Sequence, residues 1–475
     1  MNKSDSERVR TVVEGMGYIW TNDETEANLL GILACSVRQK SIDKVYSRIH
    51  KWNKLKNRQN LVTFVSGCVL PADREKFLKM FDFVFEMREL PEFEDMLAQY
   101  GVVTPVSYRM RPNESVAEPP IENTDLDFTN FKTAFHELPA NGMKPLIQRP
   151  EELIKDFWHV TPTYNSSFEA FIPIQNGCDK FCTFCAVPYT RGREISRPSE
   201  EILSELKKIV NQGYKSITLL GQNVNSYGRD KRGNEISFHE LLRKIGEYGN
   251  DSGKDFWVYF TSPHPRDMTD EVIEVISQYN CLAKQIHLPI QSGDDKVLMR
   301  MNRKHSVEDY RKIIKTIHRL LPRATIFTDI IVGFTGETDE QFENTRLAME
   351  EFKFNMAYIA KYSPRPGATS SRWADDIPNI VKTRRLHILT DELTRHTIDY
   401  NKKLIGKKLK VIVTGIDRKN EYLSALTEGR LVLRFKSNDT SLIGRFAEVE
   451  IEAATDFALQ GNLVQSLVEE SVKYE

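Results

Sequence analysis

A chain of 475 residues with 66 Lys and Arg against 67 Asp and Glu carries a formal net charge of −1. That balance excludes a globally basic, nucleic-acid-coating protein and confines any such surface to a local patch. Six cysteines are too few for a disulfide scaffold and point to a reducing cytoplasm. Neither an apolar leader after Met1 nor a run of ~18 apolar residues suggests a membrane. The length suggests about three domains on a prior of ~100–200 residues each.

The first block, residues 1–105, alternates helical and strand patterns. Residues 5–15, 41–54 and 73–81 read as helices, and 27–34, 61–66 and 83–85 as strands. Such alternation implies a parallel sheet with ligand loops at the C-terminal strand ends. Cys35 and Cys68 follow the first two strands, where such sheets place reactive groups; a pair of buried thiols is the plainer alternative. Residues 106–165, rich in Pro, Asn and Glu at 110–124 and broken again at 145–150, read as a linker with short helices and no chemistry.

In residues 166–400 six strand-like runs (170–174, 216–220, 257–260, 285–289, 325–331 and 357–362) alternate with amphipathic helices, which predicts an open, incomplete (βα)6 barrel. Ser199-Glu200-Glu201 after Pro198 reads as a capped acidic start, with Ile202, Leu203, Leu206, Ile209 and Val210 on one face and Gly213 closing the helix. Thr338 with Gln341 reads as a capping box before a helix carrying Phe342 and Leu347. The loop after the first of these strands carries Cys178, Cys182 and Cys185, spaced C-x₃-C-x₂-C with no fourth cysteine nearby. Three thiolates on a [4Fe–4S] cubane leave one iron open, as chemistry on a bound molecule requires. The alternatives are a zinc site lacking a ligand, or three buried thiols. Zinc prefers paired spacings and four ligands, and no histidine lies near this loop. Cys281 reads as a small buried apolar residue.

Residues 401–470 change character. Runs at 408–414, 430–435, 446–451 and 462–467, punctuated by glycines, predict a small antiparallel β-barrel. Lys402, Lys403, Lys407, Lys408, Lys410, Arg418, Lys419, Arg430, Arg434, Lys436 and Arg445 make it the natural place for phosphate contacts. A solvated charged face would have the same composition.

The whole order resembles the radical S-adenosylmethionine methylthiotransferases: an N-terminal α/β domain, an open radical-cofactor barrel and a small C-terminal RNA-binding barrel, the TRAM domain. The resemblance rests on residues 176–185 (Asn-Gly-Cys-Asp-Lys-Phe-Cys-Thr-Phe-Cys) running on to Arg191-Gly192-Arg193-Glu194. It rests also on residues 287–293 (His-Leu-Pro-Ile-Gln-Ser-Gly), Met301-Asn302-Arg303, residues 329–338 and residues 362–367. Thr335 stands where proline is usual, a change of turn stiffness. Residues 219–228 (Leu-Leu-Gly-Gln-Asn-Val-Asn-Ser-Tyr-Gly) resemble the branch that modifies isopentenyladenosine beside the anticodon in tRNA. The branch acting on threonylcarbamoyladenosine in tRNA is a close relative, and the ribosomal protein S12 branch carries a Gln-Asp version of that loop.

The resemblance implies that a cluster on Cys178, Cys182 and Cys185 generates a 5′-deoxyadenosyl radical from S-adenosylmethionine, and that a methylthio group is inserted at C2 of the adenine. Sulfur would come from a second [4Fe–4S] cluster, to which Cys35 and Cys68 contribute. Gln222, Asn223, Gln291, Ser292 and Gly293 are expected to line the cofactor pocket, with Gly333 and Glu337 contacting the cofactor. Arg191 and Arg193 flank the cluster loop and would face a carboxylate or phosphate, or form surface salt bridges. The implied partners are tRNA and a reductant protein such as flavodoxin or ferredoxin, with the chain a monomer. One ligand is short: family members begin with a strand ending in a Gly-Cys-Gln-Met-Asn-like turn, and Asp5-Ser6-Glu7 looks like the sequence just after it. A start assigned too far downstream is the expected explanation. Degeneration to a non-catalytic RNA-binding homologue is the alternative.

Overall fold

The computed structural model describes residues 1–35, 39–109 and 150–467. Residues 110–149 of the expected linker, and Ser36-Val37-Arg38 after Cys35, lie outside the described residues. Contacts divide the chain into two compact units, Asn2–Thr163 and Tyr164–Glu475.

In the N-terminal unit, strands β1 (Leu29–Cys35), β2 (Val62–Cys68) and β3 (Phe83–Val84) form a parallel sheet in the order β1-β2-β3. Helix Gln39–Leu55 buries Ile42, Val45, Ile49 and Trp52 against Ala34, Val65 and Phe77. This is the predicted alternation, with the first helix beginning at Asn2. Helix Pro150–His159, expected within the linker, belongs to this unit: Ile154, Phe157 and Trp158 are buried, and the Arg8 guanidinium lies 5.5 Å from the Phe157 ring centre.

The second unit opens with an arc of parallel strands. β4 (Glu169–Pro173), β7 (Ser216–Leu220) and β8 (Trp257–Phe260) form one sheet; β9 (Gln285–His287), β10 (Thr325–Val332) and β11 (Met356–Lys361) form another. A parallel bridge between Val258 and Leu282 joins the two halves. Two-residue strands β5 (Gln175–Asn176) and β6 (Ile195–Ser196) pair antiparallel beyond β4. β7 and β8 are buried at every position, as strands covered on both faces must be; β8 is apolar or aromatic throughout, and β7 buries Ser216 and Thr218 between its apolar residues. Helix Ser199–Asn211 buries Ile202, Leu206, Ile209 and Val210, with Leu203 only partly buried. Ser199 gives no side-chain cap; its backbone N–H donates to Glu235 instead, at 3.0 Å. The Thr338–Gln341 capping box is present in both directions. Leu347, by contrast, is exposed on the outer face of that helix.

The chain ends in a closed barrel of β12 (Lys408–Ile416), β13 (Tyr422–Thr427), β14 (Val432–Lys436), β15 (Phe446–Ala454) and β16 (Leu459–Leu467), in the circular order β12-β13-β14-β16-β15. One pairing, β14 with β16, is parallel. β13 is absent from the sequence reading, since its inward residues Leu423 and Ala425 make a weak alternation and Ala is a poor strand former. Arg430 is not in a strand but in the turn before β14, at φ 56°.

That turn covers the N-terminal end of the arc. Trp257, Tyr259 and Ala283 from the arc pack with Ile412 and Phe446 from the barrel, the Trp257 and Phe446 rings 4.6 Å apart. Arg430 lies 4.1 Å over the Tyr259 ring and donates to Thr218 Oγ1 at 2.9 Å. Lys410 pairs with Asp255 and sits 4.3 Å over Phe446. Two residues expected to face phosphate are therefore spent on this contact. Lys402, Lys403, Lys407, Lys408, Arg418, Lys419, Lys436 and Arg445 are exposed.

Candidate active site at the C-terminal end of the arc

The cysteine loop is clamped at both ends by the β5–β6 pair. Gly177 makes the clamp possible: at φ 79° it passes so near the returning strand that a Cβ would stand 2.0 Å from Arg193 O. Cys178 N–H donates to Gly192 O at 3.2 Å, and Asn176 Nδ2 to Arg191 O at 2.9 Å.

Three residues whose motif carried no assigned role hold the middle of the loop. Thr183 N–H donates to Met301 O at 3.1 Å. Asn302 Nδ2 donates to the carbonyls of Lys180 (3.3 Å) and Phe181 (3.0 Å). Arg303 Nη1 reaches Cys182 Sγ at 3.5 Å, with Nη2 anchored on Pro289 O at 2.7 Å. Val187 N–H also points at a sulfur, 3.5 Å from Cys185 Sγ.

Burial pushes the Cys178 and Cys185 thiols up to about 12 each, and the neighbouring cysteines of the trio add to both shifts. The sulfurs thus feel one another and two aimed N–H donors, a setting that stabilises thiolates once cations arrive. Among the described residues no three His, Cys, Asp or Glu side chains converge as the ligands of a single ion do. A [4Fe–4S] cubane takes three thiolates and leaves one iron open, whereas zinc asks for four ligands, so three thiols on one loop fit a cluster better than zinc.

Above the arc lies a buried polar network to whose members, Gln222 and Asn223 apart, the sequence assigned no role. Ser226 Oγ donates to Glu194 Oε1 at 2.5 Å and accepts from Asn223 Nδ2 (2.7 Å) and Gln175 Nε2 (3.1 Å). Burial pushes the Glu194 carboxyl up to about 7, against the hydroxyl that donates to it. Asp267 is paired with both Lys180 and Arg229. Asn225 brackets the backbone of His264, accepting from its N–H at 2.8 Å and donating to its carbonyl at 2.9 Å. Burial and the nearby Arg303 drive the His264 imidazole far below its ordinary range, so it stays neutral. Six buried polar atoms around these loops have no hydrogen-bond partner among the described residues: Gln175 Oε1, Gln222 Oε1, Asn223 Oδ1, His264 Nε2, Arg303 Nε and His305 Nε2. Buried polar groups are rarely left so, and a concentration of them marks where a polar ligand is missing.

The other expected residues divide. Gln222 and Asn223 stand among these loops, and Gln291, at φ 73° beyond β9, is held by a parallel bridge to Ile330 of β10. Ser292 and Gly293 turn toward helix Asp339–Phe352 instead. The Ser292 hydroxyl meets Thr345 Oγ1 at 3.2 Å, and a Cβ on Gly293 would lie 2.7 Å from Ala348 Cβ. Glu337 is already occupied, accepting from Gly333 N–H and from Arg385 Nη1, both at 2.7 Å, so Gly333 and Glu337 brace the β10 loop. Arg193 forms the salt bridge, to Asp179 at 2.9 Å. Cys281 is buried, as expected, and burial pushes its thiol up to about 11.

In the N-terminal unit Cys35 and Cys68 face each other in register at the ends of β1 and β2. No other cysteine precedes Cys178. Two thiols do not fit a three-thiolate cluster.

Residues 172–348 match the Radical SAM superfamily, residues 402–464 the TRAM domain and residues 1–86 the Uncharacterized protein family UPF0004. A tRNA-2-methylthio-N(6)-dimethylallyladenosine synthase of Oceanobacillus iheyensis is 34% identical, over 99% of this chain and 83% of its own length. The Cellvibrio japonicus protein of the same name is 33% identical, over 98% and 94%. Among solved structures, the radical S-adenosylmethionine methyltransferase TsrM from Kitasatospora setae, with cobalamin and a [4Fe–4S] cluster bound, has a similar fold. Its TM-score is 0.50 at 12% identity, covering 93% of this chain and 77% of that one.

Proposed function

This chain belongs to the family of tRNA-2-methylthio-N(6)-dimethylallyladenosine synthases, and we propose that it methylthiolates C2 of N6-isopentenyladenosine next to the anticodon in tRNA. Cys178, Cys182 and Cys185 would hold a [4Fe–4S] cluster, which when bound supplies one-electron reduction of S-adenosylmethionine, the radical source and methyl donor. Arg303 and the Val187 N–H steady the thiolates, and Asn302 fixes the loop between them. Gln222, Asn223 and His264 offer unpaired polar atoms to the cofactor or the adenine. Glu194, whose carboxyl burial raises to about 7, accepts from the Ser226 hydroxyl and fixes its orientation. The observation that carries the reading is the coincidence of the three-thiol loop with the concentration of unpartnered polar atoms at one end of the arc.

The reaction would take place in the cytoplasm, on a monomer reduced by a flavodoxin- or ferredoxin-like protein. Among the described residues no helix is long and apolar enough to cross a membrane. A second reading is favoured by the cysteine content of the N-terminal unit, Cys35 and Cys68: cofactor cleavage and tRNA binding without sulfur insertion. Nucleoside mass spectrometry of tRNA from a deletion strain separates the two. Loss of the methylthio group from isopentenyladenosine supports the first reading; an unchanged nucleoside profile supports the second. Loss from threonylcarbamoyladenosine, or from ribosomal protein S12, would reassign the substrate.

A further inference from the structure

Between Cys178 and Cys182 the chain does something costly. Phe181 adopts a left-handed backbone, φ 48°, which a bulky residue with a Cβ rarely takes. It is held there by Asn302, itself at φ 58°, through the bonds to the Lys180 and Phe181 carbonyls. The result is an aromatic ring in solvent: Phe181 is 37% exposed and Tyr189, across the loop, 46%. Their ring centres are 6.5 Å apart at 78°. Arg193, 73% exposed, lies with its guanidinium carbon 5.5 Å from the Phe181 ring centre, and Asp179 fixes that orientation through the 2.9 Å salt bridge. A loop needed only to carry sulfur would place a small or polar residue at such a position.

We propose that Phe181, Tyr189 and Arg193 form a stacking platform for one unpaired nucleobase flanking the target adenosine, so that the loop presenting the cluster also positions the RNA. This deepens the function proposed above and rests on it. Aromatic faces and guanidinium planes are what proteins offer to splayed-out bases of single-stranded RNA. The charge is complementary as well, since the Arg193 guanidinium stands at the platform's edge, where a phosphate backbone would pass. The platform lies on the rim of the arc's C-terminal end, where a base entering from solvent first meets the protein.

The test uses cluster-loaded, full-length protein and an RNA hairpin carrying isopentenyladenosine beside the anticodon, with the dissociation constant read by fluorescence anisotropy under anaerobic conditions. Phe181→Asn removes the ring but tolerates the left-handed backbone; Phe181→Tyr keeps the ring; Tyr189→Ala lies outside the cysteine spacing, so it remains informative if the first variant loads poorly. Phe181→Asn and Tyr189→Ala should each weaken binding about tenfold, and Phe181→Tyr by less than about twofold. In hairpins with a single abasic residue 5′ or 3′ of the target, wild type should lose about the same factor at one of the two positions, and the ring-deleting variants should lose nothing more there. Equal affinity of the ring-deleting variants and wild type overturns the platform, as do losses that simply multiply with both abasic substitutions. Wild-type protein that binds none of the three hairpins overturns the substrate reading and the platform with it.

Discussion

The two ends of the strand arc are built from the same sheet and treated in opposite ways. At the N-terminal end, polar and charged groups are paired across to the small barrel: Lys410 with Asp255, Arg430 with Thr218, the Lys284 N–H with Glu428, and Thr325 with the Gly429 carbonyl. At the C-terminal end, buried oxygens and nitrogens stand unpartnered beside three thiols and a strained phenylalanine. A protein tolerates unsatisfied groups and strain where binding will repay them, and removes them elsewhere. The contrast assigns stability to one end and chemistry to the other.

The sharpest way to break that assignment is Cys182→Ala. It removes one of three ligands, so cubane absorption and reductive cleavage of S-adenosylmethionine should both be abolished in anaerobically prepared protein. Retained cleavage would mean the chemistry lies elsewhere. Next is Trp257→Ala at the paired end. Truncating a buried tryptophan should cost about 3–5 kcal/mol in denaturant unfolding. Cofactor cleavage per folded, cluster-loaded molecule should be unaltered; a specific loss of cleavage would show that the two ends are not separable.

Asn302→Gly sharpens the comparison, because glycine keeps the left-handed backbone and deletes only the amide. Loss of two hydrogen bonds to the loop, at about 1 kcal/mol each, should weaken cluster retention about tenfold or more under a chelator, with little effect on the unfolding midpoint. The smallest effect expected is at the exposed lysines of the barrel. Lys419→Ala or Lys436→Ala should each lower tRNA affinity modestly across sequences and flatten the salt dependence by about one unit of slope. An unchanged slope would make that face merely solvated.

Much of this was legible because burial writes itself into sequence. β8 is apolar or aromatic at every position and β7 at three of five because both faces are covered, and the cysteine spacing carries its chemistry on its surface. What escaped was set by partners distant in the chain. Glu194 and Ser226 are unremarkable apart until folding places them in contact across 32 residues. Ser292 and Gly293 looked like pocket residues because polar loop residues do; only the approach of Thr345 and Ala348 shows that they pack a helix. Arg430 and Lys410 counted as phosphate ligands by charge alone, whereas the arc supplies them with aromatic faces. Leu347 fitted the helical pattern by type but not by angle, and points outward. Short β13 alternates too weakly to be read without its neighbours.

The parallel pairing of β14 with β16 has a consequence for the order in which the molecule is made. Neighbouring strands β12, β13 and β14 can zip as they emerge during synthesis, but the ring closes only when Leu459–Leu467 is inserted between β14 and β15. The N-terminal unit and the arc precede that event on the ribosome. Until it happens, Trp257, Tyr259 and Phe168 at the arc's lower rim await a finished cover. The last nine-residue strand thus completes the barrel that covers this rim, and chains that stop short of it should leave an aromatic rim open to aggregation and chaperone capture.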